Sequence, residues 1–171
     1  MSTFKGFASL VSPANLLEKL QHDLSRMKQE PANPYPAFDF FVTAEHLLDW
    51  LYPDSGGAAN TRIKKQMRET EALLRVTSHL ANGAKHFEAT ATHHKSVDSI
   101  YFHGIFDPAI FDPRIFDTKR RLVVKLQDTD ATALDLQVVP AIELANRVLA
   151  YWKQNLLSSA DSLEADDNHL S

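Results

Sequence analysis

The chain has no cysteine. Disulfide scaffolds, thiolate nucleophiles and cysteine-ligated zinc are therefore excluded. Glycine is scarce, five in 171 residues. No GxGxxG run, Walker loop or GxSxG elbow occurs, so the sequence offers no glycine-built phosphate cradle and no hydrolase elbow. No apolar run approaches the ~20 residues that a bilayer-crossing helix needs. The segment MSTFKGFASLVSP has one lysine and only a short mixed run before Ser12-Pro13, which is weak for a secretory signal. The expectation is a soluble, cytoplasmic protein with no membrane partner. An excess of one charge is also missing from most of the chain. The net charge is −4, and residues 158–171 hold Asp161, Glu164, Asp166 and Asp167 with no Lys or Arg. The remaining 18 acids balance 18 bases. A neutral body has no long-range field for capturing nucleic acid, so such binding has to come from a local patch.

What remains is the composition of an ordinary globular domain, 44% apolar and 23% charged, in a length that fits one domain. Ser12-Pro13 reads as a helix cap followed by proline at the first helical position. Leu17, Leu20, Leu24 and Met27 then recur at helical spacing, and the segment from Pro31 to Pro36 reads as a stiff extended connector. A second helix is predicted from Ala37 to Tyr52, with Phe40, Phe41, Ala44, Leu47, Leu48 and Leu51 on one face. A third runs from Thr61 to about His86 on a stripe that includes Ile63, Met67, Leu74 and Ala81. Residues 88–120 carry no clean period, but they contain a five-residue repeat: Ile105-Phe106-Asp107, Ile110-Phe111-Asp112 and Ile115-Phe116-Asp117. Alternation at Leu122, Val124 and Leu126, and again at Leu134, Leu136 and Val138, predicts a β-hairpin with its turn at Gln127 to Thr132. A last helix begins at Pro140 and buries Leu144, Val148 and Trp152. The expected fold is mainly α: an antiparallel helical bundle of about four helices, with a β-hairpin and long loop inserted before the last one. Residues 1–157 form a single helical-bundle domain with 88–138 as the insertion. Residues 158–171 form an acidic, disordered tail.

The third helix carries the candidate chemistry. Projected at 100° per residue, Arg68, Arg75, His79, Asn82 and His86 fall on the side opposite the apolar stripe. Arginine supplies forked donors suited to phosphate, and histidine titrates near neutrality. Such a face fits an RNA-contacting or phosphoryl-transfer surface; the bland alternative is a solvated polar face. The basic cluster Arg62, Lys64, Lys65 and Arg68 stands at the start of this helix, where cations oppose the dipole. On the second helix, Trp50 lies away from the phenylalanine face and suggests a contact with the hairpin or with a partner. Glu45 or Asp49 could orient an imidazole of the third helix, but surface acids are the favoured reading. Neither HExxH nor the Glu-x-x-His pair of di-iron bundles occurs, so no metal and no cofactor are expected.

Two segments, Phe40-Phe41-Val42-Thr43-Ala44-Glu45-His46-Leu47-Leu48-Asp49-Trp50 and Leu80-Ala81-Asn82-Gly83-Ala84-Lys85-His86-Phe87, resemble those of an uncharacterised family of small bacterial and phage-associated helical proteins. That family pairs an FFxxAxHLxDW helix with an ANGxKH helix end. More distantly, Asn82-x-x-x-His86 resembles the Arg-polar-x-x-x-His motif of the HEPN superfamily. Those helical proteins, often dimers, include metal-independent ribonucleases of toxin and phage-defence systems. By that likeness His86 would be the acid/base or phosphate-contacting residue and Asn82 its polar neighbour, with His79 and Arg75 as further catalytic candidates. Ala81 stands where the motif has arginine, so the likeness favours binding over cleavage.

Three functions follow as expectations. The first is a HEPN-like protein that binds RNA or serves as a toxin or phage-defence component, acting as a homodimer, with Arg68, Lys65, Lys85 and Trp50 as contacts. The second is a non-enzymatic protein-interaction module that uses the Ile-Phe-Asp repeat loop and Trp50. The third is a metal-independent ribonuclease.

Overall fold

The computed structural model describes residues 6–85, 96–103 and 120–167. The fold is mainly helical, with a three-stranded antiparallel sheet before the last helix. Helix α1 spans Pro13–Gln29, and Ser12 caps it by accepting the Asn15 amide. Helix α2 spans Pro34–Leu51 and is capped by Asn33 through the Tyr35 amide. The connector expected to run extended to Pro36 is therefore shorter. Pro34 and Pro36 lie in the first turn, where amides have no intrahelical acceptor and proline costs no hydrogen bond.

After a single 3-10 turn at Asp54–Gly56, the expected third helix is two helices: α3, Gly57–Thr70, and α4, Ala72–Lys85. The break is at Glu71, whose backbone is extended. Helix α4 continues through Gly83. His86 and residues 87–95 lie outside the described residues, as does the Ile-Phe-Asp repeat within 104–119.

The span read as aperiodic contains a strand, β1, Val97–His103. It pairs antiparallel with β2, Arg121–Leu126, across a register irregularity between Val97 and Ser99. The expected turn at 127–132 is instead helix α5, Asp128–Leu134. It closes on Asp135 in the left-handed conformation (φ 54°), a geometry that Asp tolerates. The Leu136 amide then returns to the Ala131 carbonyl at 2.9 Å, one of the hydrogen bonds of a helix C-terminal motif. The second hairpin strand is accordingly later and shorter than the alternation suggested. It is β3, Val138–Pro140, with Val124 opposite Val139.

Helix α6 runs Ala141–Asp167. The stretch 158–167, expected to be disordered, continues this helix. It has no Gly or Pro, and Ala160, Leu163 and Ala165 are good helix formers. The core lies where α1, α2 and α6 meet. Trp152, Phe40, Leu20, Leu47 and Leu144 are fully buried there, and Phe40 meets Phe41 edge to face at 5.3 Å. In β2, Val123 and Val124 are both fully buried. Neighbouring strand residues point to opposite faces, so the central strand is covered on both sides.

Candidate functional site

The polar face of α3 and α4 is the first place to look. Arg75 sits one turn into α4. Its Nε and Nη2 both donate to Oδ1 of Asp130 in α5, at 2.9 and 2.6 Å. Its Nη1 donates to the carbonyls of Arg68 and Glu69, at 3.2 and 2.6 Å. Four hydrogen bonds thus draw on a group with five donors. Those two carbonyls belong to the last turn of α3, where intrahelical partners run out. Arg75 therefore caps one helix, opens the next and holds α5 across a sequence distance of 55 residues. Asp130 is deeply buried, its side chain 6% exposed, while that of Arg75 is 26% exposed.

The remaining cations follow the same pattern. Arg68 Nη2 lies 2.6 Å from Glu45 Oε1, which also accepts from Ser78 Oγ at 3.2 Å. Asn82 Nδ2 donates to the Ser78 carbonyl at 2.8 Å. Glu45 thus binds a guanidinium and a hydroxyl, where the sequence suggested a surface acid or, less favoured, an acid that orients an imidazole. Asp49 likewise takes Lys64, which is buried and bridges Asp49 and Asp54 at 2.9 and 2.8 Å. The two carboxylates hold the Lys64 ammonium above the usual lysine range. Lys65 and Arg62 stand out into solvent, Lys65 76% exposed with Glu69 at 3.7 Å. Trp50 is partly buried and packs against the core, and Lys85 is the last residue of α4.

His79 is the described candidate with the most distinctive setting. Its Nδ1 accepts two backbone amides, from Ser96 at 3.1 Å and Val97 at 3.0 Å. A ring nitrogen that accepts carries no proton, so the imidazole is neutral with its proton on Nε2. Burial pushes its pKa below 6.5 in the same direction. His79 is thus the post to which the start of β1 is tied. Of the four catalytic candidates, Arg75, His79 and Asn82 are brought onto α4, but each is engaged with protein groups. Among the described residues no three His, Asp or Glu side chains converge as metal ligands would.

Sequence reasoning missed a second feature, an apolar groove of about 530 Å³ beside His79. One wall is the start of α2, with Ala37, Phe38 and Phe41; the other is the end of α4, with Leu80 and Ala84. The floor is β1. Phe38 and Ile100 remain 50% and 47% exposed at its rim. A signal was available in Phe38, which stands off the core face of its helix while carrying a large apolar ring. A volume of this size falls in the range of small-molecule ligand sites, which are concave and mostly apolar. Comparison with family models, with curated proteins and with solved structures finds no match to this chain.

Proposed function

We propose that this protein is a non-catalytic interaction module whose binding element is the groove between α2, α4 and β1. The observation that carries this is a division of labour on α4. Its arginine and asparagine are engaged within the fold, while its apolar end borders an open, largely uncharged groove. A catalytic face needs donors aimed at a substrate; Arg68 and Arg75 aim theirs at Glu45, Asp130 and two helix carbonyls.

RNA binding by a HEPN-like homodimer, with Lys65 and its neighbours as the contact, is the second reading. It is favoured by the exposure of Lys65 beside the exposed Arg62. The two separate in one pair of titrations. Nile red, a neutral apolar dye, should brighten on the wild-type protein, and Phe38→Glu should abolish this while leaving the melting temperature within a few degrees. Labelled single-stranded RNA in EDTA should show neither anisotropy change nor cleavage. RNA binding that is lost in Lys65→Glu, with no dye binding, would replace the groove by the RNA surface.

A further inference from the structure

The groove meets Val97, Asp98, Ser99, Ile100, Tyr101 and Phe102, six residues in a row. Side chains along a strand alternate between the two faces of a sheet. A cavity lying over one face would touch every second residue. The groove also meets Leu122 of β2, the register partner of Phe102, so it covers the face those two share and runs out over the edge of β1, where both sets of side chains and the backbone are within reach. The sheet order agrees, because β1 is a terminal strand and, among the described residues, pairs only with β2. In an antiparallel ladder every second residue turns its N–H and C=O away from the neighbouring strand. On the far side of the gap stand the apolar side chains of α2 and α4.

We propose that the groove takes an extended apolar peptide segment of a partner protein, added to β1 as a fourth strand of the sheet; this rests on the groove being the binding element. The slot calls for two chemistries at once. Its floor is a strand edge, which an occupant matches only with backbone donors and acceptors at strand spacing. Its walls, Phe38, Phe41 and Leu80, call for apolar side chains at alternate positions. Charge narrows the occupant further. Among the described lining residues Asp98 is the one that is formally charged, and the imidazole of His79 is neutral. That carboxylate already pairs with Lys125 at 3.1 Å and stays about half exposed, so a Lys or Arg of the occupant can join it there while an Asp or Glu finds no cation left for it alone among the described lining residues. Pairing begins beyond Val97, whose amide is already held by His79.

The test selects random octapeptides displayed on phage against the full chain, with counter-selection on Phe38→Glu. Enriched sequences should alternate apolar residues with a period of two and carry Lys or Arg. One of them is then synthesised in two forms, N-methylated on amides of odd or of even positions. A strand edge pairs with one set only, so one form should bind about tenfold more weakly for each bond blocked while the other binds as the parent does. Equal losses in both forms, or enrichment of sequences apolar at every third and fourth position, would overturn strand addition and leave the groove as the binding element. No enrichment over Phe38→Glu would overturn both. A dimer in sedimentation that dissociates in Ile100→Glu would make a second copy the occupant and overturn the proposal.

Discussion

Around Trp152, helices α1, α2 and α6 meet on apolar side chains, and Leu20, Leu47, Leu144 and Trp152 are out of contact with water. At the junction of α3 and α4, three cations lie within hydrogen-bond reach of carboxylates from distant parts of the chain: Lys64 with Asp49 and Asp54, Arg68 with Glu45, and Arg75 with Asp130. The first region follows the apolar stripes of its helices. The second is made from residues on the side of a helix that a projection assigns to solvent. A polar stripe opposite an apolar one can thus be a second packed wall, and the choice of Arg over Lys there suits forked clamps as well as it suits phosphate.

The contrast can be broken from its strong end. Trp152→Ala should cost about 3–5 kcal/mol in urea unfolding, because it empties a large site in close-packed surroundings. Arg75→Ala should come next, at about 3 kcal/mol, since it strands a buried carboxylate. Asp130→Ala should cost less, about 1–2 kcal/mol, because the partner it leaves is better reached by water. Equal costs for the two changes would mean that the clamp is weaker than its geometry.

His79 lies between the two regions, and pH sharpens its part. Folding holds its imidazole neutral with a lowered pKa, so as pH falls the unfolded chain takes up the proton first. Its contribution to stability is therefore complete above about pH 6.5 and declines below it, with a slope of at most about 1.4 kcal/mol per pH unit for one proton. His79→Gln should flatten the wild-type curve between pH 5 and 6.5, as measured by chemical denaturation at each pH; an unchanged slope would remove His79 from the account. The smallest effect is expected at Lys65→Ala, within about 0.5 kcal/mol, because its pairing with Glu69 is exposed and distant.

Much of the apolar region was legible in the sequence. Leu20, Leu24 and Met27 in α1, Phe40 and Leu47 in α2, and Leu144, Val148 and Trp152 in α6 are buried where their spacing puts them. The break at Glu71 was not legible. Arg68-Glu69-Thr70-Glu71 contains neither Gly nor Pro, and α3 ends where Arg75 takes two of its carbonyls, a contact organised by Asp130 far along the chain. Strand β1 was hidden for a different reason. Burial alternates along it, but polar Ser99 takes a more buried position and apolar Ile100 an exposed one, so hydropathy does not show the two-residue period that marks a strand. Helix α5 was masked by its composition, since Asp128, Thr129 and Asp130 are turn-forming types, whereas Asp130 is used to hold Arg75. The polar stripe was legible as a pattern, but its engagement is tertiary. The groove combines a strand without a hydropathy period and a phenylalanine off the core face, so only the folded chain brings it together.

The threefold duty of Arg75 has a consequence for descent. A side chain that caps α3, opens α4 and neutralises a buried acid in α5 cannot be replaced by any single change without stranding one of those groups. Arg75 and Asp130 should therefore be inherited as a unit, kept together or lost together. Across relatives of this chain, the pair would show the invariance that is often taken for an active site, with architecture as its whole cause.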